Sequence, residues 1–427
     1  NYLNNSQYKY ANNIELPENK ILDYLSGEGE IKGRFERTII RDNGFRFNFG
    51  SGAEYAHYRN STYRKIFTGD EESSIDYKTN LLLGKFSLFG QISKSYLEEK
   101  LRLSLGARTD LNTWSKKMAN PLTQISPRFS ASYSLSDKLN LNFNVGRYYQ
   151  LPPYTALGYS NTEGEFLNKT NNLKYIRSDH FVTGLELIPE ENIQITLEGF
   201  YKKYAFYPFS VRDQVPLSSK SAGYGIFGDE ELVSTSDGRA YGFELLGRFK
   251  EFKNTNMVFS YTFVRSEFRD AASGWLPSSW DNRHLFNVTA TKQLKRNWDI
   301  GIKWRFVGGA PYTPYDTDKS SLKAAWDLQG EGYLDYAKFN TERLKAFHQL
   351  DIRIDKQYFF SGWSLMLYAD VQNVYNHQSD QPAILLRESD QGGNPVTDPN
   401  DPLRYLMKFI EGSSGTVLPS IGIMVEF

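Results

Sequence analysis

Five histidines are the side chains best suited to acid–base or metal chemistry: His57, His180, His284, His348 and His377. Their spacing argues against both. None lies in an HExxH pattern or at any other paired ligand spacing. His180 follows Asp179, but adjacent strand residues point to opposite faces, and so do His348 and Asp351, three apart. The chain has no cysteine, which removes thiolate metal sites, a Cys nucleophile and disulfides. It has no Gly-x-Ser-x-Gly elbow and no Walker loop. A hydrolase at the rim of a membrane barrel would need a Ser/His or Asp/His constellation, and none is legible. The expectation is no catalytic residue, no metal site and no cofactor.

Two other groups of residues are suited to binding. Aromatics gather in the long connections. Tyr148, Tyr149, Tyr154 and Tyr159 follow one strand, Trp275 and Trp280 sit in a second loop, and Trp326 lies in a third with Tyr333 and Tyr336. Rings of this kind stack on flat ligands or sugars, or pack loop on loop, or sit at a membrane interface. The second group is charged: Arg102, Arg108, Glu198, Asp351, Arg353, Asp355 and Asp370 fall on the non-apolar face of alternating segments. They would line a lumen, where they could contact a plug, set ion selectivity or satisfy cross-strand neighbours.

The elements that must position both groups are strands. Leu139, Leu141, Phe143 and Val145 alternate with Asn140, Asn142, Asn144 and Gly146. Trp298, Ile300, Ile302, Trp304 and Phe306 alternate with Asp299, Gly301, Lys303 and Arg305. The same period of two recurs along the chain and marks strand rather than helix. The segments span about 9–15 residues, enough to cross a bilayer at a tilt. Pro419, Ile421, Ile423, Val425 and Phe427 share one face of a C-terminal strand that runs to the last residue. Soluble chains seldom end so. A closed barrel does, because its last strand pairs with its first.

Composition agrees. Lys+Arg and Asp+Glu are 50 each, so nothing points to nucleic acid. Mean hydropathy is −0.55 and no run of about 18 apolar residues occurs, which excludes helical spans but not alternating barrel strands. Aromatics make up 15%, enough for two interfacial girdles. The N-terminus carries no basic and apolar leader pattern, as expected for a processed chain or one that starts partway through a longer protein. Short turns at 41–44, 136–138, 189–192, 250–253, 294–297 and 361–362 alternate with long polar stretches at 60–77, 111–125, 149–175, 205–238, 269–281, 309–346 and 376–416. Short on one side and long on the other is the outer-membrane barrel pattern, and a compact soluble domain would not carry so many long loops. The count is about sixteen strands, with both termini on the short-turn side.

Several stretches resemble the C-terminal part of TonB-dependent outer-membrane receptors. Ser126-Pro127-Arg128-Phe129-Ser130-Ala131-Ser132-Tyr133 is similar to that family's mid-barrel hairpin. Tyr241-Gly242-Phe243-Glu244 resembles its Gly-x-Glu strand, and Gly309-Ala310-Pro311-Tyr312-Thr313-Pro314 a characteristic strand end. Leu350-Asp351-Ile352-Arg353 and Asn373-Val374-Tyr375-Asn376 resemble its late strands. Each motif is weak alone, but their order holds to Phe427, and the Tyr-, Asn- and Lys-rich loops resemble those of a Bacteroidota member. The resemblance implies an all-β transmembrane antiparallel barrel, residues 1–427 being the last sixteen strands of a 22-stranded one, with the plug outside this sequence. It also implies active uptake of a scarce large ligand (a metal chelate, glycan or peptide), energised by TonB through that plug, in the lipids of the bacterial outer membrane. Two other readings stay open. One is a passive porin closed at sixteen strands. The other is a receptor-like barrel serving as scaffold for a surface lipoprotein.

Overall fold

The computed structural model describes residues 2–10, 14–68, 71–220, 228–269 and 274–427. Sixteen long strands carry the fold: β1 (Tyr2–Tyr10), β2 (Lys20–Ile40), β3 (Arg46–Thr68), β4 (Glu71–Tyr96), β5 (Leu101–Asn112), β6 (Ser126–Ser136), β7 (Leu139–Gln150) and β8 (Ile176–Glu190), then β9 (Ile193–Ser210), β10 (Leu232–Phe252), β11 (Thr255–Arg269), β12 (Arg283–Leu294), β13 (Trp298–Val307), β14 (Phe347–Phe360), β15 (Trp363–Gln372) and β16 (Leu418–Glu426). Each pairs antiparallel with the next, which makes one continuous meander. No helix of the described residues is long and apolar enough to cross a membrane, which says nothing against crossing by strands.

One expectation changes at the sheet's edges. Among the described residues β1 registers only with β2, and β16 only with β15. The closing pair expected of a C-terminal strand is therefore not made among the described residues. Ile421 and Ile423 on β16 are 86% and 69% exposed.

Strand length changes too. β2, β3, β4 and β10 run for 21, 23, 26 and 21 residues, beyond the 9–15 that alternation suggests. At about 3.3 Å per residue, β4 spans roughly 85 Å, far more than the 9–11 residues of one crossing. The stretch 60–77 is accordingly not a polar loop. β3 and β4 stay in register from Arg46↔Ser93 to Thr68↔Glu71. Polar residues on both faces made this segment read as loop, while its backbone pairing continues. The 205–238 stretch shrinks in the same way, because β9 reaches Ser210 and β10 starts at Leu232.

The register assigns every strand two faces. The apolar face carries Leu141, Phe143, Phe181, Leu185, Leu197, Tyr201, Phe243, Ile302 and Ile354, all at least 38% exposed. In water this would be a costly surface; against acyl chains it is not. On the same face Tyr261, Phe263, His284, Phe286, Trp304 and Phe306 form a chain of ring contacts across β11, β12 and β13. The turn between Phe252 and Thr255 has two residues, Lys253-Asn254, at φ of 50° and 59°, the type I′ pattern that matches strand twist; the turn between Leu294 and Trp298 has three, of which Arg296 and Asn297 take φ of 62° and 56°.

The buried core lies at the long-loop end, on the polar face. Ala56 and Tyr58 of β3 and Leu81 and Leu83 of β4 pack against Trp114 and Met118, against Ala156, Leu157, Leu173 and Tyr175, and against Leu217 and Leu232. Three long connections thus fold over the polar face rather than away from it. Buried amides tie them together. Asn168 donates to the carbonyls of Ala156 (2.7 Å) and Glu230 (3.0 Å) and accepts from the Leu232 N–H (2.7 Å). Asn112 donates to the Tyr175 hydroxyl (2.8 Å), and the Trp114 indole donates to the Leu157 carbonyl (3.1 Å). These bonds satisfy loop backbone that would be expensive to bury unpaired.

Candidate functional site: an aromatic cavity above a charged strip

The polar face of β2 to β7 is strongly charged. Arg34, Arg108 and Arg128 border two adjoining cavities of about 300 and 380 Å³, with Lys32, Lys85, Glu36, Glu54 and Asp110. Pairing runs along strands as well as across them. Arg108 holds Asp110 at 2.6 Å and Arg353 holds Asp355 at 2.7 Å, each two residues on along its own strand. Asp351 accepts from the Gln349 amide at 2.6 Å and the Asn373 N–H at 3.0 Å. Asp370 sits opposite Arg353. Arg102 lies opposite Ser95 and Ser132. Glu198 lies opposite Glu244, a like-charge arrangement that is unfavourable without a further partner. All seven charged residues singled out from the sequence share this face in the register.

Above the strip lies a third cavity, of about 620 Å³. Its walls come from the upper ends of four strands. β7 supplies Tyr148, Tyr149 and Gln150. β8 supplies Ser178 and His180, β9 Tyr204 and Tyr207, and β11 Ser266 and Phe268, while Trp280 and Ser218 enter from loops. The rings brace one another. Tyr204 stacks on Phe268 at 5.6 Å, Tyr207 meets Phe268 edge-on at 4.8 Å, and Tyr148 lies 4.6 Å from His180. Gly238 permits this: a Cβ there would strike the Phe268 ring. His180 Nε2 is 2.7 Å from the Ser178 hydroxyl, and Ser278 bonds Ser266 at 2.8 Å. The Ser218 hydroxyl is buried with no partner among the described residues. Tyr148 borders both this cavity and the charged strip, and the Arg128 guanidinium lies over its ring at 4.4 Å.

Of Tyr148, Tyr149, Tyr154, Tyr159, Trp275, Trp280 and Trp326, the fold brings Tyr148, Tyr149 and Trp280 together here, the two tyrosines at the end of β7 rather than in the loop after it. The other four are used elsewhere. Tyr154 packs on Tyr58, donates to Glu30 at 2.6 Å and accepts from Lys85 at 2.6 Å. Tyr159 sits edge-on against Tyr77 at 5.3 Å. Trp275 is held between the guanidiniums of Arg239 (4.1 Å) and Arg269 (4.6 Å). Trp326 is 4% exposed in the short helix Lys323–Gln329, so its ring has no free face. Tyr204, Tyr207 and Phe268 were not singled out. They lie within strands, where rings are expected at interfaces, and nothing local tells which strand ends converge.

Two ionic clusters fix the loops around the cavity. In one, Lys220 bridges Asp213 and Glu230, both at 2.5 Å, Arg212 reaches Asp213 at 3.2 Å, and Arg64 of β3 reaches Asp229 at 3.4 Å. Burial pushes the Asp213 carboxyl up, but Arg212 and Lys220 outweigh it and hold the group below the usual carboxylate range. Burial of Asp229 is nearly complete and wins over Arg64 and Arg212, so that carboxyl is raised. In the other, Asp281 accepts from Arg265 (3.1 Å), the Ser266 N–H (2.8 Å) and Arg343 (2.5 Å). No group of three or more His, Asp or Glu positioned to hold a metal occurs among the described residues.

A family model described as "TonB dependent receptor-like, beta-barrel" matches residues 1–374. No curated protein matches the chain in sequence. Among solved structures it is similar to the copper transporter OprC, at 14% identity and a TM-score of 0.62 over 100% of this chain and 61% of that one. It is similar to the ferric citrate transporter FecA at 12% identity and 0.58, over 100% and 58%. It is also similar to the ferric yersiniabactin uptake receptor FyuA of Yersinia pestis at 10% and 0.57, over 95% and 55%. At such identities the likeness is one of fold. The chain spans about three fifths of the length of the first two.

Proposed function

Because this chain belongs to the TonB-dependent receptor family of outer-membrane β-barrels, we propose that it forms the C-terminal sixteen strands of a receptor that takes up a scarce, large ligand from outside the cell. It is a transporter-family barrel and not an enzyme. The observation that carries the proposal is the vestibule. Long loops fold onto the polar face and leave an aromatic cavity directly above a charged strip. In this reading Tyr148, Tyr149 and Trp280 meet the ligand. Tyr154, Tyr159, Trp275 and Trp326 hold the loops that shape the site. Arg102, Arg108, Glu198, Asp351, Arg353, Asp355 and Asp370 line the lumen, where the unpaired groups contact a plug. TonB acts on that plug from the periplasm. Among the described residues β1 and β16 each pair with one neighbour, which favours the receptor reading over a porin closed at sixteen. A surface lipoprotein partner is a further proposal, supported by the exposed apolar side chains Leu403 (70%) and Phe409 (55%) of the 376–416 stretch.

The test joins two measurements on the native protein: its intact mass with N-terminal sequence, and ligand uptake in cells with and without TonB. The expected result is a mass well above 49.2 kDa, plug sequence upstream, and uptake lost without TonB. A mature N-terminus at Asn1 with no companion fragment, together with TonB-independent flux, would refute the receptor reading.

A further inference from the structure

The three cavities described above differ in charge. The two over the strip are bordered by guanidinium, ammonium and carboxylate groups. The aromatic cavity has none: every described residue that lines it is uncharged at neutral pH, with His180 the one titratable base. The Arg128 guanidinium lies over the Tyr148 ring and borders the neighbouring strip, and Lys202, opposite His180 in the register, is not among the lining residues. An anionic metal chelate sinking here would lose water without gaining a charge-assisted partner. A neutral ligand has no such penalty.

What the cavity offers instead is ring faces and hydroxyls in alternation. Trp280 stands at the mouth, 72% exposed, with a free indole face. Tyr204, Tyr207 and Phe268 are locked in mutual ring contacts, so they form a rigid wall that loses little entropy on binding. Ser218 presents a buried hydroxyl that lacks a partner among the described residues, and Gln150 and Ser178 add an amide and a second hydroxyl. Buried polar groups without partners select ligands that bring hydrogen bonds and reject those that do not. Flat C–H faces for the rings, and many hydroxyls for the rim, are together the chemistry of a sugar. A volume of about 620 Å³ is in the usual range of a small-molecule site, enough for a few sugar rings.

We propose that the ligand's recognised part is an uncharged saccharide, seated between Trp280 and the Tyr204–Phe268 wall with Ser218 as a hydrogen-bonding anchor. This rests on the receptor reading above but narrows it. The experiment is to probe the detergent-purified native protein with a glycan array carrying uncharged, sialylated and sulfated oligosaccharides, and separately with ferric citrate by calorimetry. Uncharged glycans should be retained. Trp280→Ala, at a position 72% exposed, should weaken their binding by about tenfold or more, and Ser218→Ala should weaken it by a smaller factor. Both variants should keep the heat-modifiable gel mobility of the parent barrel. Retention of acidic glycans only, of ferric citrate only, or of no glycan at all would overturn the saccharide assignment, as would uncharged-glycan binding that Trp280→Ala leaves unchanged. Ferric citrate binding would leave the receptor reading standing. Saccharide flux that persists without TonB would sink the receptor reading and spare the site.

Discussion

Asp281 offers the sharpest perturbation of the loop architecture. Its side chain is fully buried (0% exposed) and takes Arg265 of β11, the Ser266 N–H and Arg343 of the 308–346 loop in one carboxylate. Asp281→Ala removes the shared counter-ion of Arg265 and Arg343, which are 26% and 25% exposed, and of the more distant Arg283 at 3.9 Å. Breaking a buried pair by deleting one partner costs about 3–5 kcal/mol. Two features reduce this. Arg265 keeps Glu267 at 2.6 Å, and Arg343 keeps the Gly309 carbonyl at 2.8 Å. We therefore expect about 3 kcal/mol, which at 1.36 kcal/mol per decade is roughly a hundredfold or more in the local opening equilibrium. Hydrogen exchange by mass spectrometry reads this directly. Amides in 276–282 and 336–346 should exchange roughly a hundred times faster, while those of β12 and β13 stay unchanged because the sheet ladder does not depend on the loop. Asp281→Asn should give an intermediate effect, since the amide oxygen still accepts. An increase of less than about threefold in those two segments, equivalent to under ~0.7 kcal/mol, would refute the view that this carboxylate clamps the two loops.

Three further outcomes follow from the same geometry. Phe143→Arg places a guanidinium on the apolar face and should cost about 2–4 kcal/mol near the bilayer midplane, whereas Asn142→Arg, one residue earlier on the polar face, should cost little. Equal losses in refolding yield into lipid vesicles would contradict the face assignment. Asp213 titrates below the usual carboxylate range when folded, so its contribution to the 211–231 loop is complete above about pH 4, the unfolded value. It disappears as pH falls through the lower folded value. Proteolysis of this loop that rises already between pH 7 and 5, and that Asp213→Asn abolishes, would contradict this. Asp229 has the opposite sign: its raised carboxyl binds a proton more readily in the fold, which penalises the folded loop at neutral pH. Asp229→Asn should therefore leave loop protection unchanged or raise it at pH 7, and a loss above tenfold would show that the contact with Arg64 outweighs burial.

The parts of this protein legible in its sequence are those governed by neighbours along the chain. A strand puts successive residues on opposite faces, so the alternation of Leu139–Gly146 or Trp298–Phe306 decides which side chains can meet lipid before any pairing is known. The register keeps Arg108, Asp351, Arg353 and Asp370 together on the polar face for that reason. Turn positions are nearly as local: the turn expected at 294–297 contains Arg296-Asn297, while the one expected at 250–253 falls slightly later, at Lys253-Asn254, because β10 continues to Phe252. The continuation of β3 and β4 through 60–77 was not legible. Paired backbone, not side-chain pattern, holds that segment, and the pairing partner lies outside any short window. The vestibule was hidden for a stronger reason. Whether Tyr148 meets Tyr204, Phe268 and Trp280, or whether Trp326 is buried, depends on which strand ends the curved sheet brings close and on how Asn168 and Asp281 fasten loops distant in sequence. Local alternation set which face each residue occupies, while only the closing of long loops across many strands decided which of those residues share a site.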